Sequence, residues 1–113
     1  MIVDDHEVSR AACRALLLAE GMDVVADLRA GDDVIAVTRA LRPDVAIIDV
    51  TPASHEGIRI ARALRESSAV PAVIVTSSTS RDRFGPELDG DQFIAKADIC
   101  AAAIRRHLPT GSS

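Results

Sequence analysis

Tryptophan and tyrosine are absent from this chain of 113 residues, and Phe84 and Phe93 are its only aromatics. That argues against the aromatic platforms on which single-stranded nucleic acids stack. A net charge of −4 argues likewise against a non-specific grip on nucleic acid, so no direct contact with it is expected. Cys13 and Cys100 are too few for a disulfide framework, and nothing resembles a secretion signal. The expectation is a reduced, cytoplasmic protein whose cysteines are small core residues in helices. Apolar runs such as ALLLA and AAAI fall far short of the roughly 20 residues that cross a bilayer, so no membrane association is expected. Lysine is scarcer still. Against twelve arginines stands the single Lys96, which asks for a local reason.

What the chain does have is alternation. An apolar content of 48% and this length suit one domain with its own core. The stretches 1–3, 22–28, 44–49, 72–76 and 92–96 read as strands rich in Val, Ile and Ala. Between them, Val8, Ala12, Ala15, Leu16 and Ala19 form a helical stripe, with Arg10 and Arg14 on another face. Gly21 ends that helix. Val34, Val37 and Leu41 form a second stripe after a capping Asp, and it stops before Pro43. A third helix over 57–67 sets Ile58, Ala61 and Leu64 inside and Arg59, Arg62 and Arg65 outside. Asp98 is expected to cap a last helix reaching His107, which would offset the helix dipole. The stretch 77–91 is polar, is broken by Gly85-Pro86, and is read as holding at most one or two helical turns, pinned to the sheet by Phe84 or Leu88. Strands without polar alternation are buried on both faces, which calls for an open five-stranded parallel sheet with helices on both sides. The domain is placed at 1–108, with 109–113 a tail or the start of a linker.

In such sheets ligands bind beyond the carboxyl ends of the strands. Those ends supply Asp4 and Asp5, then Asp49 at the tip of VAIID, then Thr76 and Lys96. Three clustered carboxylates repel unless a cation joins them. Mg²⁺ suits them, because it takes one or two carboxylates, waters and a phosphate oxygen. Asp49 can then serve as a nucleophile through an aspartyl-phosphate, with Lys96 as a point charge and Thr76 as a hydroxyl donor to the phosphoryl oxygens.

The segments IVDDHE, AIIDV, VIVTSS and FIAK resemble the four signature segments of two-component response-regulator receiver domains, over essentially the whole chain. Asp4-Asp5-His6 is similar to the opening of receivers that carry a LuxR-type helix-turn-helix output. The resemblance implies a flavodoxin-like sheet of order 2-1-3-4-5. It makes Asp49 the phosphoacceptor, fed by a histidine kinase or phosphotransfer protein, and Asp5 a direct Mg²⁺ ligand. Asp4 would hold the metal through water, and the Thr51 backbone carbonyl would add a ligand. Thr76 and Phe93 would be the switch hydroxyl and aromatic, and Lys96 the family's lysine. A homodimer through the first and last helices is a further expectation. The strand-end rule was itself drawn in part from a chemotaxis member of this family, so it is not independent support.

The chain departs from the family at three points. Proline stands three residues after Asp49, at Pro52, where Ala53 occupies the usual position; Gly57 stays in place. The segment 77–91 replaces a regular fourth helix, and the first strand starts almost at residue 1. The first two departures favour a rival, a phosphorylation-independent interaction module on the same fold, which the intact acids and lysine oppose. A small phosphohydrolase is disfavoured by Thr51, which stands where a second aspartate would be needed. A nucleotide-binding role lacks a Gly-rich loop after any strand. His6 and His55 could join the acids around zinc, although phosphate-transfer sites favour hard oxygen ligands. Taken singly, each site residue has a plainer role. Asp4 or Asp5 could cap the first helix, Asp49 could start a turn, Thr76 could be a strand residue, Lys96 a solvated cation and Phe93 core.

Overall fold

The computed structural model describes residues 1–88 and 92–108; the turn expected at 89–91 and the tail at 109–113 lie outside the described residues. Strands β1 (Ile2–Val3), β2 (Asp27–Leu28), β3 (Val45–Asp49), β4 (Ala72–Ser77) and β5 (Gln92–Ala95) form one sheet of order β2-β1-β3-β4-β5. Every pairing is parallel. Helices α1 (Glu7–Ala19), α2 (Val34–Leu41), α3 (Glu56–Ser67) and α4 (Ala101–Arg105) connect or follow the strands. Alternation along the strands divides the core in two. Val3, Ala46, Ile48, Val73 and Val75 face Ile58, Ala61 and Leu64 of α3. Ile2, Ile47, Ile74 and Ile94 face Leu17 of α1 and Ile104 of α4. The all-apolar strands are thus buried on both sides, as a parallel sheet requires.

Local rules account for several boundaries. The Asp33 carboxylate accepts from the Ala36 amide and caps α2. Gly21 takes φ +85 just after α1, a left-handed conformation suited to glycine. Four expectations are corrected. The strand read over 22–28 shrinks to Asp27–Leu28. The inner face of α1 is not the stripe from Val8 to Ala19: Leu17 is its buried residue, and Val8 is 84% exposed. The cause is Asp27, which receives Arg10 Nε at 3.2 Å and Arg14 Nη1 at 2.5 Å and so turns their face, shared with Leu17, toward the sheet. The last helix does not begin at Asp98. A 3₁₀ turn spans Lys96–Asp98, and extended Ile99 then buries its side chain. Cys100 caps α4, its Sγ accepting from the Ala103 amide. Both cysteines are only half-buried.

The polar stretch holds no regular helix among its described residues. Two 3₁₀ turns, Arg81–Arg83 and Pro86–Leu88, take its place. Phe84 and Leu88 are both buried and pin the segment to the α3 side of the core. Arg81 Nη2 donates to the Leu88 carbonyl at 2.8 Å, and His55 Nδ1 lies 3.1 Å from Glu87 Oε1. Few backbone bonds hold the segment, so its opening should cost little free energy. Amide exchange over 79–88 is expected to be fast beside α1, and Leu88→Ala should cost about 2–5 kcal/mol in denaturant unfolding. Protection equal to that of α1 would contradict the first, and an unchanged midpoint the second.

Candidate functional site

The rim at the carboxyl ends of the strands is built by register. Asp49 closes β3 opposite Thr76 of β4, and Thr76 stands opposite Ile94 of β5, two residues before Lys96. Asp4 directly follows β1. The apolar run before Asp49 is needed because β3 is central and buried on both faces, so the first position free to carry a charge is its tip.

Lys96 joins the acids. Its Nζ lies 3.0 Å from Asp4 Oδ2 and 2.9 Å from Asp49 Oδ1. The carboxylates are nearly sealed, with side chains 3% and 7% exposed. Burial drives the Asp4 carboxyl upward, but the His6 amide, the Ser9 hydroxyl and Lys96 outweigh it and hold Asp4 below the ordinary carboxylate value. Asp49 goes the other way. Burial pushes it above the ordinary value, the Asp4 charge adds to the push, and Lys96 only partly compensates. For Lys96 burial lowers the pKa, yet hydrogen bonds to Asp49 and Asp4 win and raise it. The Thr76 hydroxyl is buried and has no hydrogen-bond partner among the described residues.

The other expected residues divide. Asp5 Oδ1 accepts from the Ala30 amide at 2.7 Å and ties down the loop before α2. Asp5 still borders, with Asp4, Asp49 and Thr51, a cleft of about 290 Å³. The Thr51 carbonyl accepts from the Ser54 amide at 3.3 Å, closing the loop around Pro52 as a tight turn. Phe93 is half-buried and packs on the α3-side core. The zinc pairing of His6 with His55 is not formed, since His55 sits beside Glu87. His6 instead places Nδ1 3.4 Å from Asp4 Oδ1 and 3.8 Å from Asp49 Oδ2. Asp4, His6 and Asp49 offer three ligand atoms within 4.8 Å of one another, a group of the size a metal ion needs. Neither Asp4 nor Asp5 caps α1. His6 holds the cap position without a side-chain bond, while Asp4 Oδ1 accepts from the His6 amide at 2.9 Å.

Of three supports, Ser9 and Arg10 had no separate signal in the sequence, and Gly57 was marked only by its place in the family pattern. Ser9 bonds Asp4 from the first turn of α1. Arg10 Nη1 donates to the Asp4 carbonyl at 2.8 Å while its Nε holds Asp27. Gly57 lets α3 approach β3 so closely that a Cβ there would lie 2.5 Å from the Asp49 carbonyl oxygen.

Residues 1–99 match the model of the response regulator receiver domain family. The chain belongs to that family. EvgA of Escherichia coli K12, a DNA-binding transcriptional activator, is 31% identical over 85 residues, 75% of this chain and 42% of EvgA. The response regulator GacA of Pseudomonas aeruginosa is 32% identical over 89 residues, 78% of this chain and 42% of GacA. The receiver therefore spans less than half the length of these relatives. Among solved structures, the receiver domain of a NarL response regulator from Mycobacterium tuberculosis superposes with TM-score 0.70 at 24% identity, covering 94% of this chain and 92% of that one. It bears on the fold alone, which is the flavodoxin-like arrangement of receivers. No helix among the described residues is long and apolar enough to cross a membrane.

The pKa directions give signed expectations. Asp49 is raised, so its ionised form costs stability above its folded pKa, and that cost vanishes as pH falls below the ordinary carboxylate value of about 4. Asp49→Asn should thus raise the melting temperature at neutral pH and lose the gain in acid. Asp4 is lowered, so it contributes stability that is lost as pH falls through its folded pKa, and Asp4→Asn should lower the neutral melting temperature. Equal neutral melts for the two variants would contradict both. Gly57→Ala must push on backbone and should reduce stability by about 1–3 kcal/mol.

Proposed function

We propose that this receiver accepts a phosphoryl group on Asp49 from the phosphohistidine of a partner kinase or phosphotransfer protein, with Mg²⁺. The observation that carries the reading is the pairing of Lys96 with Asp49 Oδ1, which leaves Oδ2, among the described residues, with the longer 3.8 Å approach of His6. Oδ2 would attack phosphorus, forming the O–P bond as the N–P bond of the donor breaks and the imidazole leaves with its electron pair. Lys96 would move from Oδ1 to a phosphoryl oxygen as a point charge, and the Thr76 hydroxyl, which has no partner among the described residues, would donate to another. Asp4 and Asp49, with Asp5 and the Thr51 carbonyl at the edge of the same cleft, are the groups that would hold the metal. When bound, Mg²⁺ would neutralise charge on the transferring group. Movement of Thr76 and Lys96 would bias the surface around β4 and β5, with Phe93 as the aromatic that reports it. The domain would catalyse only its own phosphorylation and slow hydrolysis. A second copy pairing through α1 and α4 is favoured by the exposed Val8.

The phosphorylation-independent module keeps three observations in its favour: the tight turn around Pro52, the 3₁₀ turns in place of a fourth helix, and the Asp5 Oδ1 bond to the Ala30 amide. Two measurements separate the readings. Acetyl phosphate or beryllofluoride with Mg²⁺ should modify the wild type and not Asp49→Asn in intact-mass spectra; equal adducts on both would sink the assignment. Mg²⁺ at a hundredfold excess over its dissociation constant should add about 2.7 kcal/mol to stability, and Asp5→Ala should remove most of it. Melts indifferent to Mg²⁺ would favour the module.

A further inference from the structure

Lys96 and its carboxylates separate two spaces. One is the polar cleft bordered by Asp5 and Thr51. The other lies on the opposite side, beneath α1, a cavity of about 190 Å³. Its floor is Ile2 and Ile47 of the sheet, and its walls are Cys13 and Leu16 of α1 and Ile99 beyond β5. Asp4, Asp49, Ser9, Thr76 and Lys96 stand at its polar end. The space exists because this side of the core is thin. Leu17 is the only buried residue of α1, α4 has five residues, and a 3₁₀ turn replaces the helix start at Lys96. Leu16, 42% exposed, leaves a way in from solvent.

Size, charge and an unmet hydrogen bond define what fits. Dry apolar cavities of about 150 Å³ bind benzene, so one six-membered ring can be housed here. Two carboxylates face one permanent cation, Lys96, with only the titratable His6 besides it among the described residues, so the polar end has room for a further positive charge. Thr76, 3% exposed, lines the cavity, and its oxygen has no hydrogen-bond partner among the described residues, a bond an N–H could supply. We propose that the cavity beneath α1 binds a small primary ammonium compound with a single apolar ring, of the size of benzylamine. The ring lies against Ile2, Ile47 and Ile99, and the ammonium group is directed to Asp4, Asp49 and Thr76. Recognition requires the cavity and the paired acids only, and does not rest on phosphorylation of Asp49.

The test follows isoleucine methyl resonances during titration with benzylamine and, separately, with the neutral benzyl alcohol. Saturable shifts are expected at Ile2, Ile47 and Ile99 and not at Ile35 or Ile60, which pack on the other face. Benzyl alcohol should bind roughly tenfold more weakly, the worth of one charged contact of about 1.4 kcal/mol. Cys13→Met should fill the space and abolish the shifts; should it fail to fold, Ala12→Leu at the rim serves the same purpose. Equal affinity for the alcohol would reduce the site to a simple void. Shifts spread over both faces, or unaltered by the filling variants, would overturn the proposal.

Discussion

Lys96 is held by two carboxylates that the fold has almost removed from water, and the rest of the site depends on that contact. Removing a carboxylate from water costs several kcal/mol, and two side by side would repel as well. One ammonium at 2.9 and 3.0 Å offsets both penalties at once. It does so unequally. Asp4 gains an amide and a hydroxyl besides Lys96 and falls in pKa; Asp49 has fewer partners and rises. The carboxylate with spare capacity is the one at the centre of the rim, where a reacting group can reach it. A lysine suits this better than an arginine, because a compact ammonium can move between acceptors while a planar fork is committed to its geometry.

The sheet was legible because its evidence is local and repetitive. Val45 to Ile48 reads as a strand buried on both faces, and five strand segments alternating with helical stripes leave few topologies. The convergence of Asp4, Asp49, Thr76 and Lys96 followed from strand ends, and the lone lysine among twelve arginines reinforced it. The family resemblance pointed the same way, and the match over residues 1–99 establishes the family.

What stayed hidden was set by long-range contacts. The orientation of α1 turns on Asp27 gripping Arg10 and Arg14, so a helix whose apolar periodicity favours Val8 and Leu16 buries Leu17 instead. The displaced start of α4 follows from Ile99 entering the core, which leaves Cys100 rather than Asp98 as the capping residue. The side chain of Asp5 could turn either way, and the Ala30 amide across the loop decides it. The segment with Gly85-Pro86 was the opposite case. Its breakers acted locally, and two apolar residues in a polar stretch sufficed to mark what pins it.

Because the chain holds one lysine, isotopic labelling of lysine gives a single side-chain nitrogen resonance, and its titration reads the central contact without assignment. The account predicts that Lys96 Nζ titrates above the ordinary lysine value of 10.5, and that Asp49→Asn or Asp4→Asn brings it down. A titration at or below that value, unmoved by either substitution, would show an ammonium free in solvent and contradict the account.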